Sequence, residues 1–124
     1  MHNVEYIVEN YVRGNIVIRI FRDEMTKRDI VDSFNHMINV GILNEDSIGL
    51  ITDISNSTLE LDMEDLEKMV VFISKNKILS HIKIAVIGDT PSKILFPTLA
   101  NFKLGDKFMP FSSVEDAKEW IKEQ

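Results

Sequence analysis

The chain has 124 residues, of which 44% are hydrophobic and 27% are charged, a composition typical of one globular domain with a single core. Fourteen basic side chains against twenty acidic ones give a net charge of −6, and no cluster of Lys and Arg is present, which argues against nucleic acid as a partner. The sequence has no cysteine, so disulfides, thiol catalysis and thiolate metal sites are excluded.

No targeting or membrane-spanning segment is visible in the sequence. No apolar run approaches the roughly 18 residues that a membrane-spanning helix needs. The first residues have neither the basic region nor the apolar core of a secretory signal peptide. We therefore expect a single domain, residues 1–124, in the cytoplasm.

The first predicted element is an antiparallel β-hairpin. Residues 4–12 and 16–21 both alternate in the manner of β-strands, and Gly14 and Asn15 stand between them. Because glycine and asparagine accept the positive φ angles of a tight turn, the hairpin is predicted to turn at these two residues.

Two amphipathic helices are predicted next in the chain. The first follows Thr26, whose hydroxyl is suited to accept a hydrogen bond from a backbone N–H of the first turn. The second follows Asp62, whose carboxylate is suited to the same role and also meets the positive end of the helix dipole. The predicted inner stripe of this second helix consists of Met63, Leu66, Met69, Val70 and Ile73.

Two short apolar runs, residues 48–54 and 82–87, are predicted as inner strands of a sheet. The apolar core of each run lacks alternation with polar residues, as expected for strands that are covered on both faces. We expect the two runs to lie side by side and parallel in the middle of the sheet.

A third helix is predicted after residue 89. Thr90 is suited to cap it, and Pro91 takes the first helical position, where its missing N–H loses no hydrogen bond. Pro97 lies within the same helix, so we expect a kink or a break there.

A short strand and a fourth helix are predicted to end the chain. Residues 107–111 form the strand, at an edge of the sheet because Pro110 has no backbone N–H to donate. Ser112 and Glu115 have the spacing of a capping box ahead of the helix. The order ββαβαβαβα predicts an α/β fold: a single mixed five-stranded sheet, with an N-terminal antiparallel hairpin and parallel inner strands, and four helices in one layer.

Metal and cofactor sites have weak support in the sequence. Asp53 lies at the end of the first predicted inner strand and Asp89 follows the second, at the sheet edge where ligands gather, and carboxylates suit Mg²⁺. Aspartates at strand ends, however, more often cap turns or helices. His2, His36 and His81 lack the spacing of metal ligands, and no glycine-rich phosphate loop is present. We predict no metal, no cofactor and no catalytic site.

The polar segment Ser55, Asn56, Ser57 and Thr58 is predicted to form a loop between a strand and the second helix. Three hydroxyl groups near a helix N-terminus would place a phosphate favourably against the helix dipole. The alternative is a solvated turn without a ligand. Composition does not decide between the two.

The sequence has more apolar residues on two successive helices than one core contact requires. Val71 and Phe72 belong to the second helix and Phe96 to the third, and flexible Met63 and Met69 lie near the first two. Core packing explains such residues, and so does a surface that contacts a partner or a lipid. Both interpretations stay open at this point.

Three stretches and the element order resemble a known family. They are the strand end at residues 50–55, the junction at residues 85–91, and the closing segment at residues 111–121. In these features the chain resembles the STAS domain, the fold of bacterial anti-sigma-factor antagonists. More narrowly, it resembles the SpoIIAA-like group, also called STAS/SEC14-like.

The resemblance implies a non-catalytic regulatory domain that binds another protein, such as a kinase-like or regulatory partner, or a second copy of itself. In antagonists that are switched by phosphorylation, the second helix opens with Asp-Ser-Ser-Gly, and one serine accepts the phosphate. This chain has Leu61, Asp62, Met63 and Glu64 there, so the usual acceptor serine is absent.

The SEC14-like relatives imply an alternative, the binding of a lipid or small hydrophobic ligand. An Mg²⁺-dependent phosphotransfer enzyme ranks third. The residues predicted to form the partner or ligand surface are Asp53, Ser55, Asn56, Ser57, Thr58, Asp62, Met63, Phe72 and Phe96.

Overall fold

A five-stranded sheet organises the protein. The computed structural model describes residues 4–59, 62–89 and 107–123. The strands are β1 (Val4–Tyr11), β2 (Gly14–Met25), β3 (Ser47–Leu59), β4 (Lys83–Ile87) and β5 (Phe108–Phe111). They lie in that order across the sheet, with β1 antiparallel to β2 and every later pair parallel. The mixed sheet, the parallel pairing of β3 with β4 and the edge position of β5 are thereby confirmed.

The described residues contain three α-helices. They are α1 (Lys27–Asn39), α2 (Met63–Lys75) and α3 (Val114–Lys122), and a short 3-10 helix lies at Leu79–His81. Four helices are predicted from the sequence, and the one predicted after Thr90 falls outside the described residues. Within the described ranges, no helix is long and apolar enough to cross a membrane.

The helices cover both faces of the sheet, so the predicted single layer is wrong. On one face, Phe21 of β2 shares a core with Phe34 of α1 and Met69 of α2. On the opposite face, Ile51 of β3 packs in a second core with Ile121 of α3. Because the inner strands are apolar at consecutive positions, each of their faces needs a cover.

Helix α3 comes very close to β3 at Gly49. A Cβ atom placed on Gly49 would lie 2.5 Å from Cγ2 of Ile121, far inside van der Waals contact. The missing side chain therefore sets how deeply α3 docks on the sheet.

The predicted N-caps of α1 and α2 are confirmed. The backbone N–H of Asp29 donates to Thr26 Oγ1 at 3.2 Å, and that of Asp65 donates to Asp62 Oδ1 at 2.8 Å. In both helices the acidic side chain accepts a hydrogen bond from the backbone N–H of the cap residue in return, which completes a capping box. These two boxes fix where α1 and α2 begin.

Two other predicted boundaries are shifted. Tyr11 pairs with Gly14, so residues 12–13 form the hairpin turn rather than the glycine and the asparagine after it. Ser113 caps α3 in place of Ser112, and its side chain accepts a backbone N–H of the first turn. Residue types indicate that a turn is near, but strand pairing decides which residues form it.

Candidate functional site

Residues 55–58 belong to β3, so the predicted loop is wrong. They continue the strand, and residues 56–59 pair in parallel with residues 22–25 of β2. The register of the two strands is irregular between Ile20 and Arg22, which marks a bulge before this last stretch of pairing. Strand pairing has outweighed the turn-like composition of the segment.

The hydroxyl groups of this segment point in different directions. Ser57 is buried, and its Oγ donates to the carbonyl oxygen of Ile54 at 3.1 Å. Ser55 is half-buried, whereas Asn56 and Thr58 are exposed. The segment therefore offers a strand surface with two accessible polar side chains, and not a cluster of hydroxyls at a helix N-terminus.

Asp53 lies in the middle of β3, whereas Asp89 follows the end of β4. Asp53 pairs with Ile87, the last residue of β4, and its Oδ1 accepts the backbone N–H of Ser55 at 2.9 Å. Asp89 is exposed two residues after β4. Across the described part of the chain, no group of three His, Asp or Glu side chains is placed to hold a metal ion.

Helix α2 presents two apolar side chains to solvent. Met63 is 58% exposed and Val71 is 48% exposed. The predicted inner position of Met63 is wrong, because Met63 is the first residue of the helix and the buried stripe begins one turn later. Phe72 is half-buried, with its ring 5.8 Å from that of Phe34, so it belongs partly to the core. Phe96 falls outside the described residues.

The start of α2 is acidic. Glu64 pairs with Lys68 one turn later at 3.0 Å, and this hydrogen bond raises the pKa of Lys68. Lys27 at the start of α1 reaches Asp65 at 3.4 Å and links the two helices. The combination of these charges with the apolar surface of Met63 would suit a partner that carries apolar and basic groups.

One buried side chain was not anticipated from the sequence. Arg19 of β2 is only 2% exposed, and its guanidinium donates to Thr52 Oγ1 and Ser33 Oγ. Its Cζ lies 4.1 Å from the ring centre of Phe34 and 4.7 Å from that of Phe21. Burial lowers the pKa of Arg19 to about 9, so the side chain stays a cation at neutral pH.

Solved structures of similar fold cover nearly the whole chain. A protein of the DUF3478 family with a SpoIIAA-like fold, from Shewanella loihica, matches with a TM-score of 0.66 at 18% identity, over 98% of this chain and 95% of that one. An anti-sigma factor antagonist from Mycobacterium paratuberculosis matches with a TM-score of 0.55 at 16% identity, over 98% and 96%.

The anti-sigma factor antagonist SpoIIAA, in its unphosphorylated form, matches with a TM-score of 0.57 at 12% identity, over 97% of this chain and 100% of that one. The sequence matches no protein-family model and no curated protein. The protein therefore has the SpoIIAA-like fold, as the resemblance indicated.

Proposed function

We propose that the protein is a non-catalytic regulatory domain that binds another protein through an exposed side of α2. This interaction face consists of Met63, Glu67 and Val71. The observation that carries the proposal is the exposure of Met63 and Val71 on a helix whose inner stripe is already fully packed. Because the core does not require these two apolar side chains, contact with a partner is a reason for their presence.

The fold supports this function, since two of the similar structures are anti-sigma factor antagonists. The usual acceptor serine at the start of the second helix is replaced here, and the carboxylate of Asp62 caps α2. We therefore propose that binding at this face does not depend on phosphorylation at that position. The polar side chains of Asn56 and Thr58, exposed on β3, extend the surface available to the partner.

The experiment is a capture of partners with two matched variants. Met63→Glu combined with Val71→Glu replaces the apolar part of the face with side chains that favour helix, so the fold is retained. Val12→Glu adds one negative charge, half that of the double variant, in the hairpin turn at a fully exposed position. Proteins captured from cells that naturally contain the protein are compared by quantitative mass spectrometry, and the strongest candidate is then titrated in purified form.

The proposal expects the α2 double variant to lose a partner that wild type and Val12→Glu both retain. If the double variant captures the same proteins as wild type, α2 is not the interaction face. If the partner is a second copy of the chain, light scattering reports it as a dimer of wild type that the double variant does not form.

A second candidate function is the binding of a small hydrophobic ligand. A groove of about 410 Å³ lies between the end of α1 and the 3-10 helix, within the size range of small-molecule sites. Ile38, Ile78 and Ile82 supply its apolar wall, and Lys77 and His81 lie among its polar lining residues.

Native mass spectrometry of protein purified from its natural cells tests this candidate. The expected result is an added mass that is lost in Ile78→Gln but kept in Val40→Gln, a change at an exposed position just after α1. A bare protein mass in the wild type would count against ligand binding. The third interpretation, Mg²⁺-dependent phosphotransfer, gains no support from the residues that the structure describes.

A further inference from the structure

The sheet edge formed by β1 carries none of the usual protection against pairing. β1 is the first strand in the sheet order, and among the described residues β2 is its only pairing partner. Its pairing with β2 is regular from Val4 to Tyr11, and the strand contains no proline, glycine or lysine. Natural sheets usually protect an edge by shortness, proline, a bulge or lysine. The opposite edge strand, β5, has only four residues and contains Pro110.

Every second residue of β1 directs its backbone N–H and C=O groups to this outer edge. The backbone N–H of Asn15 on β2 donates to the carbonyl oxygen of Asp46 at 3.0 Å, away from β1. Asn10, which faces Asn15, therefore exchanges no hydrogen bonds with it. Because the direction alternates along an antiparallel pair, Tyr6, Val8 and Asn10 all present their backbone groups outward.

The strand also has an exposed apolar side chain on each face of the sheet. Tyr6 packs with the core under α1 and Tyr11 with the core under α3, so even-numbered and odd-numbered residues lie on opposite faces. On these two faces Val8 is 44% exposed and Ile7 is 38% exposed. A strand added at the outer edge would cover both side chains and accept the outward hydrogen bonds.

We propose that this strand is β1 of a second copy of the chain, antiparallel to the first, with the twofold axis at Val8. Val8 then faces Val8 of the partner subunit, and Tyr6 faces Asn10 of the partner subunit. Each of these pairs exchanges two backbone hydrogen bonds. Both copies use the same surface, so the assembly closes as a dimer and does not continue into a fibre. The interface is separate from the face of α2 described under the proposed function.

The charges beside β1 favour a second copy in this register. Tyr11 receives Glu5 of the partner subunit, and Lys122 Nζ lies 4.4 Å from the centre of the Tyr11 ring, where it meets the incoming carboxylate. A register centred one residue earlier would instead set Glu5 opposite Glu9 of the partner subunit, and like charges directly opposite each other are destabilising. The strand is thus complementary to itself when the axis lies at Val8.

A pair of opposite charges on the twofold axis tests the interface. Sedimentation velocity of wild type should show a monomer–dimer equilibrium with a micromolar Kd, since one pair of strands is a small interface. Val8→Lys and Val8→Glu each set like charges against each other on the axis, so each variant alone should be monomeric. An equimolar mixture sets lysine against glutamate and should recover the dimer. Val71→Lys, at a similarly exposed position on α2, is the matched control and should dimerise as wild type does.

The possible results separate this interface from the face of α2. A wild type that stays monomeric at millimolar concentration overturns the proposal, as does a dimer that survives in Val8→Lys. A dimer that is lost in Val71→Lys but kept in Val8→Lys places self-association on α2, which contradicts the β1 interface and agrees with the proposed function. If the mixture of Val8→Lys and Val8→Glu stays monomeric, the axis does not lie at Val8.

Amide hydrogen exchange of wild type gives a result that does not rely on any variant. At about ten times the dimer Kd, mass action leaves about one chain in five free, so amides protected only in the dimer should exchange about fivefold more slowly than in dilute protein. The proposal expects this slowing at Tyr6, Val8 and Asn10, and not at Ile7 and Glu9, whose amides already bond to β2. Exchange at Val8 that is independent of protein concentration contradicts it.

Discussion

Replacement of Gly49 by alanine tests the contact between α3 and the sheet. The new Cβ would lie 2.5, 2.7 and 2.9 Å from Cγ2, Cδ1 and Cγ1 of Ile121, all shorter than any relaxed contact. Ile121 is 2% exposed, so its side chain has little free space into which to rotate. Overpacking of this kind destabilises proteins by about 1–3 kcal/mol. We expect a loss in that range for Gly49→Ala, measured by urea unfolding.

The double variant with Ile121→Ala separates this clash from other causes. Ile121→Ala alone removes all three clashing atoms and should cost about 2–5 kcal/mol for the lost packing. In that background Gly49→Ala should become neutral or stabilise the protein by a few tenths of a kcal/mol, because alanine restricts the unfolded chain more than glycine does. If Gly49→Ala costs the same in both backgrounds, the contact with Ile121 is not the cause and the docking of α3 has been misjudged.

Two further predictions follow from buried and paired side chains. Ser57→Asp places a carboxylate in a buried strand position and should lower the free energy of unfolding in urea by about 2 kcal/mol or more. Thr58→Asp, at the exposed neighbouring position, should change it by no more than about 0.5 kcal/mol. Equal costs for the two variants would contradict the burial of Ser57. A hydrogen bond from Tyr11, and to a smaller extent one from Lys118, lowers the pKa of Glu9 below its ordinary value of 4.5. The ionised Glu9 therefore stabilises the folded protein above pH 4.5, and this contribution is lost as the pH falls through the lower pKa of the folded state. The stability difference between wild type and Glu9→Gln should therefore shrink on acidification, and a difference that is constant with pH would refute this assignment.

The arrangement of the inner strands could be predicted because their residues carry the information locally. The runs at 48–54 and 82–87 have apolar cores bounded by polar residues, and such runs form central parallel strands when helices alternate with them. The same runs also imply two covered faces, which the single-layer prediction overlooked. Gly49 also indicates that the second face is covered, since a glycine within a buried strand often marks the close approach of another element.

The end of β3 could not be predicted, because a distant segment decides it. Ser, Asn and Thr at residues 55–58 are turn formers by composition, and only the pairing with residues 22–25 holds them in a strand. In the same way, the helical period places Met63 on the inner side of α2, yet the core does not extend as far as that first turn.

Arg19 shows a different limit of sequence reasoning. It shares a strand face with Val17 and Phe21, and two apolar neighbours on one face do indicate burial. An arginine is nevertheless exposed in most proteins, so the residue type alone favours a surface position. Only the folded structure brings Thr52 and Ser33 from two other elements to the same guanidinium.

The first turn of α2 connects the fold with the proposed function. Asp62 accepts the N–H of Asp65 at 2.8 Å, and the carboxylate of Asp65 accepts the N–H of Asp62 at 3.3 Å, so both acidic groups are engaged in beginning the helix. A serine in the place of Asp62 would also cap the helix, but it would gain its negative charge only on phosphorylation. With aspartate the charge is permanent, and the adjacent Met63 is exposed in the same state of the protein. On the proposed function, partner binding at this helix is therefore constitutive, and its control must act on the partner or on the amount of protein.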